Sequence, residues 1–513
     1  MRAFAFAPCA VALACAALVA PAQAAGPDSA VWAELKKLTQ RLEAVEAENR
    51  ALRQKLAAPA TVAAPASSPA NAGNIEQRVQ ALEDAQAQAE KSLSSERISE
   101  TEPELITRLK AVEFQTLSMQ KQARQIEAVE GVSVSASLTT VLQQAQSEAL
   151  ADPATGGSRA NYRGDIAVTL PGGSMGDVEG NIFVQARFGQ GDGLGLRPTY
   201  TGTANSTTFR MGMADHPEDA AAHIAQAWYR LSSPLGDVKR DSRESASLTF
   251  GKIDPFVFFD QNAIADDETT RFMNNVFVHN PLLDSGGDAG VDAYGFAPGA
   301  IASYSNVRQK GGEWDVSLGA FGSGSGSAFN GPLSKPFMIA QAALHTRFNA
   351  LPGQWRLYAW HNGRGGNLDG SEARHAGWGL SFDQRATDTL TVFGRFGKQM
   401  SGTTRFDRAI TLGGEINGDP WGRGADAIGV AAGVLRTSKA FSANGATLDA
   451  DGDGQPDYGY NPASSERDFE LYYRWHVNGN FSLSPDFQLI QRPGANDSAE
   501  TVRVLGLRAR VGF

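Results

Sequence analysis

At 513 residues the chain has room for two or three domains, although one barrel can run past the usual domain size. Its formal charge of −10 disfavours a nucleic-acid partner, because neutralising phosphates takes clustered Lys and Arg. Mean hydropathy is −0.28, and beyond the first residues no run approaches the ~18 apolar residues of a spanning helix. That test excludes helical membrane proteins but not barrels, whose strands alternate lipid-facing and lumen-facing residues.

Arg2, an apolar stretch to about Ala20 and the small residues of Ala22-Gln23-Ala24 predict a signal peptide over residues 1–24, cleaved after Ala24 or Ala25. Both cysteines, Cys9 and Cys15, fall inside it, so the exported chain would hold none and would need no disulfide framework. Lipidation at Cys15 is the alternative, and Ala12-Leu13-Ala14 is a poor match for it.

From Val31 the steps of four and three through Leu35, Leu38, Leu42, Val45, Asn49, Leu52 and Leu56 form a heptad seam, predicting a coiled coil over 31–56. Asn49 falls at an a position, and Arg41 with Glu46 and Glu48 with Arg53 occupy complementary g and e positions of a parallel pair. An Ala/Pro/Ser linker covers 57–72. Helical heptads resume over 75–130, with a restart at Pro103 flanked by Thr101 and Glu104 in capping-box spacing. The seam lacks β-branched a positions, and together with the barrel that follows it points to a homotrimer.

At Gly131 the period switches from 3.5 to 2. In the last segment Leu505, Leu507, Ala509, Val511 and Phe513 share one face, while Arg508 and Arg510 share the other. No soluble sandwich buries two arginines on its inner face, but a barrel with lipid outside and water inside requires that split. Sixteen such segments begin near residues 132, 161, 181, 222, 244, 290, 312, 336, 354, 374, 387, 409, 425, 466, 480 and 501. The connections after odd segments are long near 190–221, 254–289 and 438–465, and those after even segments are tight near 351–353, 384–386 and 478–479. The predicted fold is therefore an all-β transmembrane barrel of about 16 antiparallel strands over 131–513, preceded by an α-helical coiled-coil stalk in the periplasm.

The segment GKIDPFVFFDQNAIADDETTRFMNNVFVHNPLLD from Gly251, and the run ELYYRWHVNGNFSLSPDFQLIQRPG from Glu470 through to VLGLRARVGF, resemble the carbohydrate-selective porin OprB family. The resemblance spans roughly Val132 to Phe513. It implies a sixteen-stranded outer-membrane porin passing small sugars by facilitated diffusion, with lipopolysaccharide and lipid around it.

In strand-parity order 254–289 is the third surface loop, which in general porins folds inward. Phe256, Phe258 and Phe259 would pack it on the wall, leaving Asp260, Asp266, Asp267, Glu268 and Arg271 to face the passage. Alternation points Arg187, Arg230, Arg356, Arg395, Arg474, Arg508 and Arg510 into the lumen, with Trp228, Tyr358, Trp360, Phe393, Glu470 and Tyr472. Guanidinium forks and carboxylates suit sugar hydroxyls, and aromatic faces suit pyranose rings. The plainer reading is that these groups only keep the lumen wet.

Asp449, Asp451, Asp453, Gln455 and Asp457 fit positions 1, 3, 5, 7 and 9 of a calcium loop, but Tyr460 stands at position 12 where a bidentate Glu belongs. Calcium and a solvated acidic turn both remain open there. No cofactor is required otherwise. No catalytic motif falls at a strand-to-helix junction, so no enzyme is expected. Two other functions stand beside a sugar porin: an anion-selective channel for phosphate or dicarboxylates, suggested by the inward arginines and by the stalk, and an envelope tether whose stalk binds peptidoglycan.

Overall fold

The computed structural model describes residues 131–150, 157–196, 204–208, 220–236, 242–284, 288–289, 295–308, 311–323 and 334–513. The leader at 1–24, the heptad segments at 31–56 and 75–130 and the linker at 57–72 lie outside the described residues.

Sixteen strands follow one another around a closed barrel. They are β1 (Ser133–Ala145), β2 (Ser158–Met175), β3 (Val178–Gln190), β4 (Ala221–Pro234), β5 (Glu244–Ile253), β6 (Ala297–Asn306), β7 (Trp314–Phe321) and β8 (Phe337–Phe348). β9 (Leu351–Gly366), β10 (Glu372–Arg385), β11 (Leu390–Ser401), β12 (Phe406–Asn417), β13 (Ala427–Thr437), β14 (Ser465–His476), β15 (Phe481–Gln491) and β16 (Val502–Gly512) complete it. Every pairing is antiparallel, and β1 closes on β16 from Ser137 opposite Gly512 to Ala145 opposite Val504. Closure leaves no strand edge unpaired, which a chain in hydrocarbon cannot tolerate.

The period-2 pattern sets the facing. Arg508 on β16 is buried, while its neighbours Leu505 and Leu507 are exposed on the outside. On β15 Ser482, Ser484, Asp486 and Gln488 are all buried inward. Leu142, Leu318, Leu357, Leu412 and Leu505 belong to the exposed outer band. Near the short turns this band carries aromatic pairs, Trp355 stacked on Phe382 at 4.8 Å and Tyr304 against Trp314 at 5.3 Å. Such amphipathic rings suit the headgroup level of a bilayer.

Tight connections at 176–177, 349–350, 386–389 and 477–480 gather at one end, here the short-turn end. The long connections 191–220, 254–296 and 438–464 lie at the other. The parity is not uniform: 367–371 and 402–405 at the long-loop end are tight, whereas 418–426 at the short-turn end is longer. That last turn is held closed by Gly418 N–H donating to the Asp426 carbonyl at 2.9 Å and by an Arg423–Asp426 ion pair at 2.5 Å.

The strand starts match the expected ones within a few residues, and the largest gap is at β6, expected near 290 and found at Ala297. Asp288 belongs to the preceding loop instead. Its carboxylate accepts hydrogen bonds from Trp360 Nε1 at 2.9 Å and Gln399 Nε2 at 2.7 Å and meets His375 Nδ1 at 2.6 Å.

Candidate functional site: the constriction

The long connection between β5 and β6 enters the barrel. Phe259, Phe272, Phe277 and Leu283 from it are buried against Phe321 of β7, Phe337 of β8, Phe393 of β11 and Tyr472 of β14. Wall glycines leave the room: a Cβ on Gly319 would lie 2.8 Å from the Phe259 ring, and one on Gly379 would lie 2.4 Å from Tyr358.

Asp260 anchors the loop. It is fully buried with φ of +55°, a left-handed conformation that Asp tolerates better than most residues. Its Oδ1 accepts from Tyr358 O–H at 2.8 Å and Arg395 Nε at 3.0 Å, and its Oδ2 accepts from Asn280 N–H at 2.6 Å. Arg395 also donates to the carbonyls of Ala265 at 2.6 Å and Phe277 at 2.9 Å. A second anchor is Glu470, which accepts from Met273 N–H at 2.5 Å and Asn274 N–H at 3.0 Å. Arg508 is the third, donating to the carbonyls of Glu268 at 2.8 Å and Arg271 at 2.5 Å.

These contacts change the part several residues play. Asp260, expected to face the passage, faces the wall, because a buried guanidinium requires a carboxylate partner. Tyr358, Trp360, Arg395, Glu470, Tyr472 and Arg508 do point inward, but each is buried against the loop, so they hold it rather than line open channel, and Arg356 is buried inward as well. Arg356 is spent on Asp383 at 2.8 Å, and Arg474 pairs with Glu415 at 3.3 Å. Arg271, part exposed, lies 3.4 Å from the same Glu415. Phe258 packs edge-on to Trp228, their centroids 5.8 Å apart.

The open passage runs between the loop and the wall of β1–β4. A cavity of 370 Å³ there is lined by Arg163, Asp165 and Arg187 on the wall and by Asp266, Asp267 and Glu268 on the loop, with Phe183, Asp254, Phe256 and His279. That volume lies at the small end of ligand cavities. Arg163 bridges Asp165 at 3.0 Å and Glu268 at 2.6 Å, and Arg187 meets Asp165 at 2.7 Å. Toward the short-turn end the passage opens past Gln185 and Asp165 to His476, Ser482 and Arg510. Arg230 sits in a separate lobe with Trp228.

Sequence reasoning missed Arg163 and Asp165, which sit inward on β2 among residues with little apolar contrast. It also missed a second inserted segment, 204–208, from the β3–β4 connection. Asn161 donates to the Thr207 carbonyl at 3.0 Å, Gln488 to the Ala204 carbonyl at 2.8 Å, and Ser206 N–H reaches the Met273 carbonyl at 2.8 Å. Asn-Ser-Thr-Thr reads as an ordinary polar loop and carried no signal for this.

His279 stacks on Phe256 at 4.0 Å and lies 3.0 Å from Asp284 and 3.5 Å from Asp266. Burial opposes its charge, but the two carboxylates outweigh burial and raise its pKa to about 10, so it is a cation at neutral pH. Burial raises Asp254 to about 6, with His279 and the Phe256 N–H opposing. Above that pH Asp254 is charged and joins Asp165, Asp267 and Glu268, against two guanidiniums and one imidazolium, while burial raises Asp266 as well. The acidic excess of the passage should therefore fall as pH is lowered through 6, and with it any preference for cations over anions. Reversal potentials under a KCl gradient at pH 5 and 7 check this, and Asp254→Asn should shrink the difference.

In the long surface connection, Asp449, Asp451 and Asp453 bring one oxygen each within 4.8 Å of one another. Asp449 also accepts from Gly452 and Gly454 N–H at 2.8 and 2.9 Å, Asp453 accepts from Gln455 N–H at 2.7 Å, and Asp457 accepts from Ala450 N–H at 3.0 Å.

A family model described as "Carbohydrate-selective porin, OprB family" matches residues 100–513. Among solved structures, a high-pH form of OprB from Pseudomonas putida superposes with a TM-score of 0.60 at 16% identity, over 76% of this chain and 96% of that one. Its low-pH form gives 0.43 at 15% over 77% and 96%, and a mutant porin from Rh. blastica gives 0.37 at 11% over 74% and 100%. The first of these shows a shared fold. No curated protein matches the chain. With the family model covering every strand of the barrel, the chain belongs to the carbohydrate-selective porin OprB family.

Proposed function

We propose that this outer-membrane porin admits neutral monosaccharides by facilitated diffusion through the constriction on β1–β4. One observation carries the reading: the 370 Å³ passage offers guanidinium donors and carboxylate acceptors on facing walls, with the rings of Phe183 and Phe256 beside them. Hydroxyl groups exchange water for such donors and acceptors with little loss, and pyranose faces settle on aromatic rings. The family is one of channels, so no reaction is expected.

An anion-selective channel fits less well. Its support is the stalk and the set of inward arginines, and most of these arginines are paired or covered. The acidic excess in the passage repels phosphate and dicarboxylates. Zero-current potential under a salt gradient tests this: cation preference at pH 7 supports the sugar reading, and anion preference would replace it.

The heptads favour a periplasmic stalk, either joining three chains or binding peptidoglycan. Mass in mild detergent decides the oligomer, three chains or one. Deleting 31–130 and scoring envelope integrity separately from sugar uptake decides the tether.

Calcium at Asp449, Asp451, Asp453, Gln455 and Asp457 remains a proposal supported by spacing and by the convergence of three carboxylates. Calcium should slow proteolysis of the 438–464 connection, and Asp451→Ala with Asp453→Ala should abolish that protection. Equal cutting with calcium or chelator in the unmodified chain would dismiss the site.

A further inference from the structure

We infer that the lumen holds a second carbohydrate subsite below the constriction, centred on Trp228 and Arg230, which takes the next ring of a disaccharide. The inference rests on the carbohydrate reading above and extends it to a site of its own.

The subsite lies in a 650 Å³ cavity at the short-turn end, between β4 and β9 under the inserted loop. Val257, 45% exposed at the loop's edge, lines both this cavity and the constriction, so the two are adjoining parts of one path. β4 runs from the long-loop end to the short-turn end, so Gln226 borders the constriction and Trp228 and Arg230 follow it downward.

Two ladders join the cavities. The aromatic one places Phe183 of the constriction on Trp228 at 4.8 Å and 20°, with Phe258 edge-on to Trp228. The polar one runs from Trp228 Nε1 to Gln226 at 3.3 Å, from Gln226 to Gln185 at 2.7 Å, and from Gln185 to Asp165 at 2.9 Å. Arg230 closes the platform, its guanidinium 5.7 Å from the Trp228 ring and 5.1 Å from Phe258.

Arg230, like Arg510 nearer the short turns, differs from the other inward arginines. Arg187, Arg356, Arg395 and Arg474 each have a carboxylate partner, and Arg508 has two carbonyls. Among the described residues Arg230 forms no ion pair, and its Nε alone is used, on Thr249 Oγ1 at 3.1 Å. A guanidinium fixed over aromatic rings with unspent donors is pre-arranged for hydroxyls. Across the cavity Asp315 and His345 meet at 2.8 Å, and Glu313 and Arg347 line the same space, so polar acceptors and donors face the platform.

The test is current block by maltose in planar bilayers, with glucose uptake by liposome swelling measured alongside. Trp228→Ala should raise the maltose concentration for half block about five-fold, the loss of one aromatic contact. Trp228→Phe should recover most of it, and Arg230→Gln should weaken maltose more than glucose. Heat-modifiable mobility of each variant establishes a folded barrel, and the Phe variant preserves the test if Ala does not fold. Unchanged maltose block in Trp228→Ala, or equal loss for maltose and glucose, would overturn the subsite. An unmodified channel that shows neither glucose uptake nor maltose block would overturn the carbohydrate reading instead, and the subsite with it.

Discussion

Replacing Asp260 with Ala should release the constriction loop and raise single-channel conductance while the barrel stays assembled. The substitution leaves Arg395 buried without its carboxylate, and removing one member of a buried pair costs about 3–5 kcal/mol. It also strips partners from Tyr358 and Asn280. The barrel wall does not depend on these bonds, since its strands are joined by their own ladders. The loop does, so the penalty falls on the loop's inward state and shifts its population by more than a hundred-fold. Asp260→Asn keeps one acceptor oxygen and should show a smaller rise. Single-channel recording and swelling rates for a trisaccharide read both; an Ala variant with unchanged conductance would mean that Glu470 and Arg508 hold the loop alone.

Neighbouring residues on β16 should fail in opposite ways. Leu507 faces outward between Leu142 and Pro485, and an arginine there costs about 2–4 kcal/mol at the bilayer midplane. Leu507→Arg should therefore lower the yield of assembled barrel. Arg508 faces inward and grips two loop carbonyls, so Arg508→Leu should assemble and conduct with a loosened loop. Heat-modifiable mobility scores the first effect and conductance the second. Equal assembly defects at both positions would contradict the facing assigned to the strand.

That facing was legible in the sequence because a period of two is local: Leu507 outward and Arg508 inward follow from adjacent residues. The barrel and its strand count came from repeating the same local pattern. What covers an inward side chain is not local. Arg395 reads as lumen-facing, but its cover comes from Asp260 and Phe277, more than a hundred residues earlier. For the same reason Asp260 and Asp266 look alike in sequence, although one is tied to the wall and the other borders the passage. The phenylalanines did announce that the loop folds inward, since so many rings in one loop need a buried surface, and Phe259 finds it on Phe321 and Phe272 on Phe393 and Tyr472 of the wall. The polar segment 204–208 gave no such sign, because Gln143 holds it by the Ala204 carbonyl and Asn161 by the Thr207 carbonyl and the Asn205 side chain, polar groups that an exposed loop carries just as often.

The most direct test of a sugar path through the β1–β4 passage is liposome swelling by the purified protein with neutral sugars of graded size. A narrow, polar constriction predicts fast swelling with pentoses and hexoses, slower swelling with disaccharides, and slower uptake still of a hexose carrying a carboxylate, which the acidic excess repels. Ion conductance without swelling by any sugar, or faster uptake of the acidic hexose than of glucose, would contradict it.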